Sequence, residues 1–448
     1  MNFIRSNKNR LSLFLISVML VSISLYLYSC GGGGYDAPPT TTTSTALVSA
    51  DTLKEWVDSG RVNGTGYDRV VALDVNSLST YTTGHILGAQ FLDSNDIYQT
   101  RTEGPATDVN MVLDGSHMDA LIQKYGIDNN TTIVFTSGTG SCGTGTPGAA
   151  LSATRAYWTF RYWGFPKERL KVLDGINCDY GKRFGLTTDP SPAITPSAYS
   201  VRNNTALRGD LRASLREMID VASGTVPNAL IIDARGPSGS YAGTAGSTPG
   251  VFPPTGDFVV FEGHIKGAKA LSFTAHFDPT NNYRFLSADA LIAQFAAIGL
   301  DSTKTAYVHC RTGVIASAPF FVLDGILGWP VANYDGSWSQ WGQMSASSAN
   351  GGQLSPTSPW ITDTLSENVT YNFANGKAVE LLTLDGSTCS GTMKTDGTKA
   401  YSTSTGSTCT PSAPNSFATS GNQIEEADAN YMGSGGGAPG GSLVAPGY

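Results

Sequence analysis

An internal duplication is the feature that most constrains how this chain can fold. The string GHILGA at 84–89 returns as GHIKGA at 263–268, and LDG at 173–175 returns as YDG at 334–336. Markers that recur in the same order indicate two copies of one structural unit.

Each copy alternates short apolar runs with amphipathic segments. The runs RVVALDV, TTIVFT and LKVLDG in the first copy, and ALIIDAR, TAYVHC and VANYDG in the second, have the length and composition of buried strands. We predict helices in HMDALIQKYGI of the first copy and in GDLRASLREMIDVAS, SADALIAQFAAIGL and ASAPFFVLDGILGW of the second. The alternation predicts an α/β fold in which each copy has a central parallel sheet flanked by helices.

Composition and these patterns divide the 448 residues into six segments. We predict a signal peptide (1–29), a flexible lipid-anchored linker (30–47), a first, non-catalytic copy (48–186), a linker (187–200), a second, catalytic copy (201–345) and a Ser/Thr/Gly-rich C-terminal extension (346–448). The extension alternates like short antiparallel strands, and NQIEEADANYMG near its end is a candidate short helix.

The N-terminus predicts export from the cytoplasm. A basic start is followed by an apolar run from Leu11 to Ser29, then by Cys30 and four glycines, which is typical of a secretory signal. The residues LYSC resemble the bacterial lipobox, which would make Cys30 the lipidated residue and place the protein in the bacterial cell envelope, at the outer membrane or facing the periplasm. The alternative is a transmembrane anchor of about 19 residues.

Charge and cysteine content limit the classes of binding partner and the cellular compartment that the chain fits. The net charge is −8 and no basic run follows the signal, which argues against nucleic acid. Apart from Cys30 and Cys310, the chain has four cysteines, an even number that favours disulfides in an oxidising compartment. We predict the pairs Cys142–Cys178 and Cys389–Cys409, with a redox-active pair as the alternative for the first.

Cys310 is the candidate nucleophile. It directly follows the predicted strand TAYVH, and the next helix opens at Ala316. The intervening loop CRTGVI therefore lies at the carboxyl end of a parallel strand and at a helix N-terminus, where open α/β sheets bind ligands. Amide N–H groups turned inward around Gly313, together with the helix dipole, favour a thiolate or a bound anion. The alternative is a buried core thiol.

DAR followed by GHIKGA, then VHCRTGVIAS and NYDGSWSQWG, resembles the tandem rhodanese-like sulfurtransferases, the thiosulfate and 3-mercaptopyruvate sulfurtransferase family. The resemblance covers residues 48–345 and implies that the C-terminal copy alone is catalytic. It also implies that Cys310 takes a sulfane sulfur from a small anionic donor such as thiosulfate, a polysulfide or mercaptopyruvate. The resulting persulfide would pass its sulfur to cyanide or a thiol, and neither a metal nor a cofactor is expected.

The resemblance implies a substrate-binding loop, which consists of Arg311, Thr312, Gly313, Val314 and Ile315. Arg311 could hold or steer the anion, and an arginine there is typical of members that prefer thiosulfate. Ile315 stands where a threonine or a basic residue is common, so a polar contact to the substrate is missing. The donor is therefore left open.

Arg235 in the DAR string matches an arginine that contacts anionic substrate in the family, or else it pairs structurally with Asp233. Asp335 and Trp338 belong to the YDGSW turn beside the active loop, where packing is the expected role. The long Gly/Ser/Pro loop between Arg235 and Gly263 is either a lid or partner surface, or a tolerated surface insertion.

Asp74 and His85 of the first copy match a relay of mercaptopyruvate-specific members, in which Thr312 could supply the loop hydroxyl. His264 occupies the same motif in the second copy, so the alternative is that both histidines are structural. The first copy has no cysteine at its strand end. Thr136 and Ser137 are expected to stand there in place of Cys310 and Arg311.

Three function classes follow. The first is an envelope-anchored sulfurtransferase. The second is a non-catalytic, redox or anion-binding lipoprotein that serves an envelope protein partner in handling sulfur or selenium oxyanions. The third is a structural anchor. The joint presence of Cys310, Arg311, Gly313 and YDGSW favours the first class over the third.

Overall fold

The computed structural model describes residues 46–66, 68–103, 106–238, 241, 264–345, 378–384, 387–393, 399–403 and 421–433. Cys30 and Cys409 lie outside these residues, and so do the predicted lipidation and the predicted Cys389–Cys409 pairing. Within the described ranges, no helix has the length and apolar character needed to cross a membrane.

The first copy is built on a five-stranded parallel sheet. In chain order the elements are β1 (Leu47–Val48), α1 (Ala50–Asp58), β2 (Val70–Asn76), α2 (Leu78–Thr83), β3 (Gln90–Asp93), β4 (Gln99–Glu103), β5 (Ala106–Met111), α3 (Gly115–Lys124), β6 (Thr132–Thr136), α4 (Thr146–Tyr162), β7 (Leu170–Leu173) and α5 (Ile176–Phe184). The sheet order is β1-β7-β6-β2-β3, and every pairing in it is parallel. Strands β4 and β5 form a separate antiparallel hairpin that the sequence pattern did not predict.

The second copy repeats this arrangement. Its elements are α6 (Leu215–Ala222), β8 (Ala229–Asp233), β9 (Lys269–Ala270), β10 (Phe277–Asp278), β11 (Arg284–Phe285), α7 (Ala288–Ala297), β12 (Thr305–His309), α8 (Ser317–Phe321), β13 (Val331–Asn333) and α9 (Ser337–Ser345). The parallel order β13-β12-β8-β9 matches β7-β6-β2-β3 strand for strand. The predicted α/β class, with parallel sheets flanked by helices, is confirmed.

Side-chain alternation explains how the sheets are covered. In β2, Val71 and Leu73 join one apolar cluster while Val70 and Ala72 join another, because successive strand residues point to opposite faces. In β12, Ala306 and Val308 enter the same cluster as Val71. One face of each sheet therefore packs into a core that both copies share.

Helices α4 and α8 meet in this shared core. The Thr154 and Ser317 hydroxyls lie 2.8 Å apart. Arg161 of α4 forms a buried ion pair at 2.9 Å with Asp324, which lies in the π-helical turn Val322–Leu327 that continues α8. The Tyr157 hydroxyl donates to the same carboxylate at 2.6 Å. The predicted helix ASAPFFVLDGILGW thus exists, but its second half is wound as a π-helix.

The predicted helix GDLRASLREMIDVAS starts later than its sequence suggests. Residues Gly209–Leu211 form a short 3₁₀ turn, and α6 begins only at Leu215. Ser214 accepts from the Glu217 amide, while the Glu217 carboxylate accepts from the Ser214 amide, a capping box that fixes the start of the helix.

Elements of the C-terminal extension follow the second copy. Strands β14 (Ala378–Leu384), β15 (Ser387–Met393) and β16 (Lys399–Thr403) pair antiparallel, as the alternation predicts. Helix α10 (Gln423–Gly433) docks on the first copy. Asp428 forms a bidentate ion pair with Arg101 at 2.7 and 2.8 Å. The Tyr162 hydroxyl also donates to Asp428, at 2.9 Å.

Candidate active site

Cys310 lies at the carboxyl end of β12, which is flanked by the parallel strands β8 and β13. The residue follows His309, the last of the strand, and α8 begins at Ser317. We call residues 310–315 the cysteine loop. The Cys310 side chain is fully buried, and Cys310 is a free thiol.

A backbone hydrogen bond holds the sulfur. The Gly313 amide donates to Cys310 Sγ at 3.1 Å, so the loop curls around the thiol as the sequence predicts. Gly313 has φ +80°, a left-handed conformation that glycine adopts without strain. An amide N–H directed at sulfur stabilises negative charge on it.

The YDGSW turn, residues 334–338, forms hydrogen bonds with the backbone of Cys310. The Cys310 amide donates to Ser337 Oγ at 3.1 Å, and that hydroxyl donates to the Tyr334 carbonyl at 2.8 Å. The Trp338 amide donates back to the Cys310 carbonyl at 3.2 Å. Ser337 is buried at φ 53°, which a non-glycine residue rarely adopts. Sequence reasoning assigned this turn to packing and missed Ser337 as a direct partner of Cys310.

The other predicted loop residues lie where they could meet a ligand. Arg311, Thr312, Val314 and Ile315 are each partly exposed, in contrast to the buried Cys310. Ile315 packs against the edge of the shared core. The Arg311 carbonyl accepts from the Ser339 amide at 2.8 Å, which ties the loop to the start of α9.

Arg235 forms the structural pair that was one of its two predicted roles. Its Nε donates to Asp233 at 2.9 Å and its Nη2 donates to the same carboxylate at 2.6 Å. The Asp233 carboxyl is fully buried; burial raises its pKa, but His309 and Arg235 outweigh this and lower it below the usual value. The Arg235 guanidinium also lies 5.9 Å from the Trp338 ring, beside the YDGSW turn.

The two motif histidines have the same structural contacts. His85 stacks on Tyr81 with the ring centroids 3.9 Å apart, and its Nδ1 lies 3.1 Å from the Tyr81 carbonyl. His264 stacks on Tyr241 at 3.8 Å, and its Nδ1 lies 2.9 Å from the Tyr241 carbonyl. Repetition of this stack in the copy that holds Cys310 supports the structural role for His85.

Asp74 is likewise engaged within the first copy. Its carboxylate accepts from the side-chain amides of Asn76 and Asn177, the latter at 2.9 Å. Burial raises the pKa of Asp74 to about 7. Within the described ranges, the hydrogen bonds of Asp74 and His85 go to first-copy residues and not to the cysteine loop, so the structure does not join the candidate relay to Thr312.

Strand register corrects the predicted counterpart of Cys310. Asp233 pairs with His309 in the second sheet, whereas Asp74 pairs with Thr136 in the first. The equivalent of Cys310 is therefore Ser137, not Thr136. Its carbonyl accepts from the Asn177 amide, as the Cys310 carbonyl does from Trp338. The prediction was wrong by one residue because a buried apolar run does not show where pairing stops.

A disulfide closes the first-copy counterpart of the cysteine loop. Cys142 and Cys178 are bonded, the pairing favoured from the sequence, with Cα atoms 5.0 Å apart. Cys142, Thr80 and Thr146 help line a cavity of about 360 Å³ beside this loop. Cys178 is buried and its sulfur lies 3.4 Å from the carbonyl of Asn282 in the second copy.

Arg155 of α4 is a site residue that sequence reasoning missed. It is fully buried, its Nη1 donates to the Gly313 carbonyl at 2.9 Å, and its Nη2 donates to the Asn110 carbonyl at 2.6 Å. Its guanidinium lies 4.3 Å from the Trp158 ring. The available signal was the string TRAYWTFRYW, in which two arginines interrupt an otherwise apolar helix.

A buried ionic cluster lies behind the YDGSW turn; it consists of Arg212, Glu103, Asp335 and Glu425. Arg212 pairs with the three carboxylates at 2.8, 2.9 and 3.0 Å, and Asp335 also accepts from the Val112 amide at 2.9 Å. Burial raises the pKa values of Glu103 and Glu425. Sequence reasoning found Asp335 but not its partners.

Within the described ranges, no group of three or more metal-ligating side chains is placed to hold an ion. The Gly313 amide donates to the Cys310 sulfur and the Arg155 guanidinium donates to the carbonyl of the same Gly313, an arrangement that is suited to anionic sulfur species.

Comparisons with known proteins agree with this geometry. The family model of the rhodanese-like domain matches residues 213–344. "Sulfur carrier protein TtuD" of Thermus thermophilus is 29% identical over 300 residues, which are 66% of this chain and 94% of that protein. "Putative thiosulfate sulfurtransferase 1" of Mycobacterium bovis is 30% identical over 306 residues, 66% of this chain and 95% of that protein.

The fold is also that of a solved structure. The crystal structure of Tum1 protein from Saccharomyces cerevisiae matches with a TM-score of 0.51 and 20% identity, covering 66% of this chain and 94% of that one. The matched relatives are thus spanned over nearly their whole length. From these likenesses and the strand-end cysteine, the chain belongs to the rhodanese-like sulfurtransferases.

Proposed function

We propose that this protein moves a sulfane sulfur from a small anionic donor to a thiophilic acceptor, with Cys310 as the sulfur carrier. The observation that carries the proposal is the hydrogen bond from the Gly313 amide to Cys310 Sγ at 3.1 Å, at the carboxyl end of β12. A core thiol has no need of an amide donor, whereas a thiolate or persulfide is stabilised by one.

The reaction has two displacement steps. The Cys310 thiolate attacks the outer sulfur of the donor, the donor's bond to that sulfur breaks, and the electron pair leaves with the departing group, which is sulfite when the donor is thiosulfate. An acceptor thiolate or cyanide then attacks the outer sulfur of the Cys310 persulfide and restores the Cys310 thiolate. The amide of Gly313 can donate to the Cys310 sulfur before and after each step.

We infer that the donor is a small oxyanion of the thiosulfate type. Arg311 and Thr312 are partly exposed beside the buried thiol, so they can meet a small oxyanion. Polysulfide and mercaptopyruvate are the other donor classes. The name of the Thermus relative, a sulfur carrier protein, supports a role in carrying sulfur.

The test is intact mass spectrometry of the purified protein after incubation with thiosulfate. We expect a gain of one sulfur atom that is lost on adding cyanide or a thiol, and no gain in Cys310→Ala. Failure of wild-type protein to take up sulfur from thiosulfate, polysulfide and mercaptopyruvate alike would contradict the proposal.

A second candidate function is that of a non-catalytic protein that binds an oxyanion of sulfur or selenium for an envelope partner. The full burial of Cys310 favours it, because donor access requires the loop to open. It predicts selenite or sulfite binding by calorimetry that survives in Cys310→Ala, with no sulfur uptake.

We further propose that the protein is anchored in the bacterial envelope through a lipid on Cys30. The support is the sequence pattern of a basic start, an apolar run and LYSC. Expressed in a bacterial host, the full chain should partition into detergent, and Cys30→Ala should move it to the aqueous phase. Equal partitioning of both proteins would contradict lipidation.

A further inference from the structure

Arg155 brings a buried positive charge of the first copy to the cysteine loop of the second. Its Nη1 donates to the Gly313 carbonyl at 2.9 Å, and the amide of the same Gly313 donates to Cys310 Sγ at 3.1 Å. A single loop residue therefore connects the guanidinium to the sulfur.

The contacts of Arg155 do not neutralise its charge. Both of its donating Nη atoms meet backbone carbonyls, and Nε has no hydrogen-bond partner among the described residues. Asp335 acts on it through space, but the oxygens of Asp335 already accept from Arg212 and from the Val112 amide. Burial lowers the pKa of Arg155 to about 10, which is the direction expected when desolvation is incompletely offset.

A buried guanidinium without a hydrogen-bonded anion is costly unless a negative charge forms nearby. Cys310 is the nucleophile of the proposed reaction, and it acts on Arg155 electrostatically. The thiolate and persulfide forms of Cys310 both carry a negative charge, which the surroundings of Arg155 otherwise lack.

We propose that Arg155, a residue of the first copy, is a positioning residue for sulfur transfer. It holds the Gly313 carbonyl and stabilises negative charge on the Cys310 sulfur of the second copy. The proposal rests on the proposed function, in which Cys310 carries the sulfur. It also gives the first copy, which has Ser137 in place of the cysteine, a direct part in the chemistry of the second.

A test must keep the other ionisable groups of this region unchanged. Asp335, Arg212 and Tyr98 interact electrostatically with Arg155, and His309 and Arg311 are the chain neighbours of Cys310. Burial lowers the pKa of His309 to about 4, so it is neutral at pH 7 and adds no charge.

The test is the pH dependence of Cys310 alkylation by iodoacetamide, followed by peptide mass spectrometry from about pH 5 to about pH 10, which brackets ordinary thiol ionisation. Arg155→Gln keeps an amide donor for Gly313 but removes the charge, and it should raise the midpoint of the alkylation rate by about one pH unit. Arg155→Lys keeps the charge and should leave the midpoint near that of wild type. An unchanged midpoint in folded Arg155→Gln would overturn the proposal.

A buried arginine on the same helix supplies the control. Arg161 pairs with Asp324 and, among the described residues, makes no hydrogen bond to the cysteine loop. Arg161→Met combined with Asp324→Asn should therefore lower thermal stability without moving the alkylation midpoint.

If Arg155→Gln fails to fold, Arg155→Met, whose stem can stay against Trp158, replaces it. Alkylation needs no sulfur donor, so a shifted midpoint without sulfur uptake would refute the proposed function while leaving intact the stabilisation of the Cys310 thiolate by Arg155.

Discussion

Gly313 and Asp335 approach so closely that their backbones exclude any side chain between them. A Cβ built on Gly313 would lie 2.7 Å from the Asp335 Cα, and the residue has φ +80°. Both constraints require glycine at the point where the loop presents its amide to Cys310 and its carbonyl to Arg155. The backbones of the cysteine loop and of the YDGSW turn are therefore in direct contact.

Gly313→Ala should abolish sulfur loading of Cys310. The left-handed conformation costs an alanine about 1–2 kcal/mol, and the new methyl group must also push the loop away from Asp335. Loading is measured by intact mass after incubation with thiosulfate. Gly299→Ala is the matched control, because Gly299 has φ +88° and an added Cβ meets nothing within 4 Å. It should lose stability but still load sulfur, and normal loading by Gly313→Ala would contradict the expected role of the contact.

Helix α10 should be required for the stability of the first copy. Asp428→Ala removes the bidentate partner of Arg101, whose side chain is only 9% exposed, and leaves a charge buried without its carboxylate. Breaking a buried pair in this way costs about 3–5 kcal/mol, which urea unfolding should register as a lower midpoint. Glu426→Ala, on the exposed side of the same helix, should change stability by less than about 0.5 kcal/mol. Equal effects of the two substitutions would show that α10 contributes nothing specific.

The strands, the duplication and the cysteine loop were predictable because their signals are local. A buried run ending at His309, a glycine three residues after Cys310 and a helix opening at Ala316 together define a strand-end site without any knowledge of tertiary contacts. The same locality explains the error at Ser137, since register depends on the neighbouring strand and not on the run itself.

The ionic cluster was not predictable, because it joins residues that are far apart in sequence. Arg212 meets Glu103, Asp335 and Glu425 across separations of 109, 123 and 213 residues. Two of these acids lie in the β4–β5 hairpin and in α10, outside the motifs of either copy. A single sequence does not indicate which distant acidic residues will form ion pairs with a buried arginine.

Removing the Cys142–Cys178 disulfide should cost stability rather than sulfur transfer. The bond closes a loop with a sequence separation of 36, for which the loss of chain entropy in the unfolded state predicts about 3–4 kcal/mol. Cys142→Ser combined with Cys178→Ser should unfold at lower urea concentration than wild type. Reductant should lower the midpoint of wild type more than that of the variant, which keeps only the predicted Cys389–Cys409 pair. Sulfur loading at Cys310 should be equal in wild type and in the variant, both measured without reductant because a thiol would itself remove the persulfide sulfur. Lower loading in the variant would instead favour the redox-active alternative for this pair.

Two buried histidines in the second copy should make the protein sensitive to acid. His276 stacks near Phe295, its Nδ1 lies 3.2 Å from Gln294 Oε1, and its Nε2 has no partner among the described residues. Burial lowers the pKa of His276 to about 4 and likewise that of His309 to about 4. Since these values lie below the ordinary value of 6.5, each of the two histidines binds more protons in the unfolded chain than in the folded protein at pH values between about 4 and 6.5. Their contribution to stability is therefore lost as the pH falls from 6.5 towards 4.

His276→Phe should reduce this loss of stability at low pH, because phenylalanine keeps an aromatic ring against Phe295 but cannot take up a proton. For one such histidine, the free energy of unfolding should fall by about 2 kcal/mol between pH 8 and pH 5. Urea unfolding at both pH values gives the difference for each protein, and the variant should lose about 2 kcal/mol less than wild type while His309 continues to contribute. Equal losses in the two proteins would mean that the buried imidazole of His276 is protonated without unfolding the chain around it.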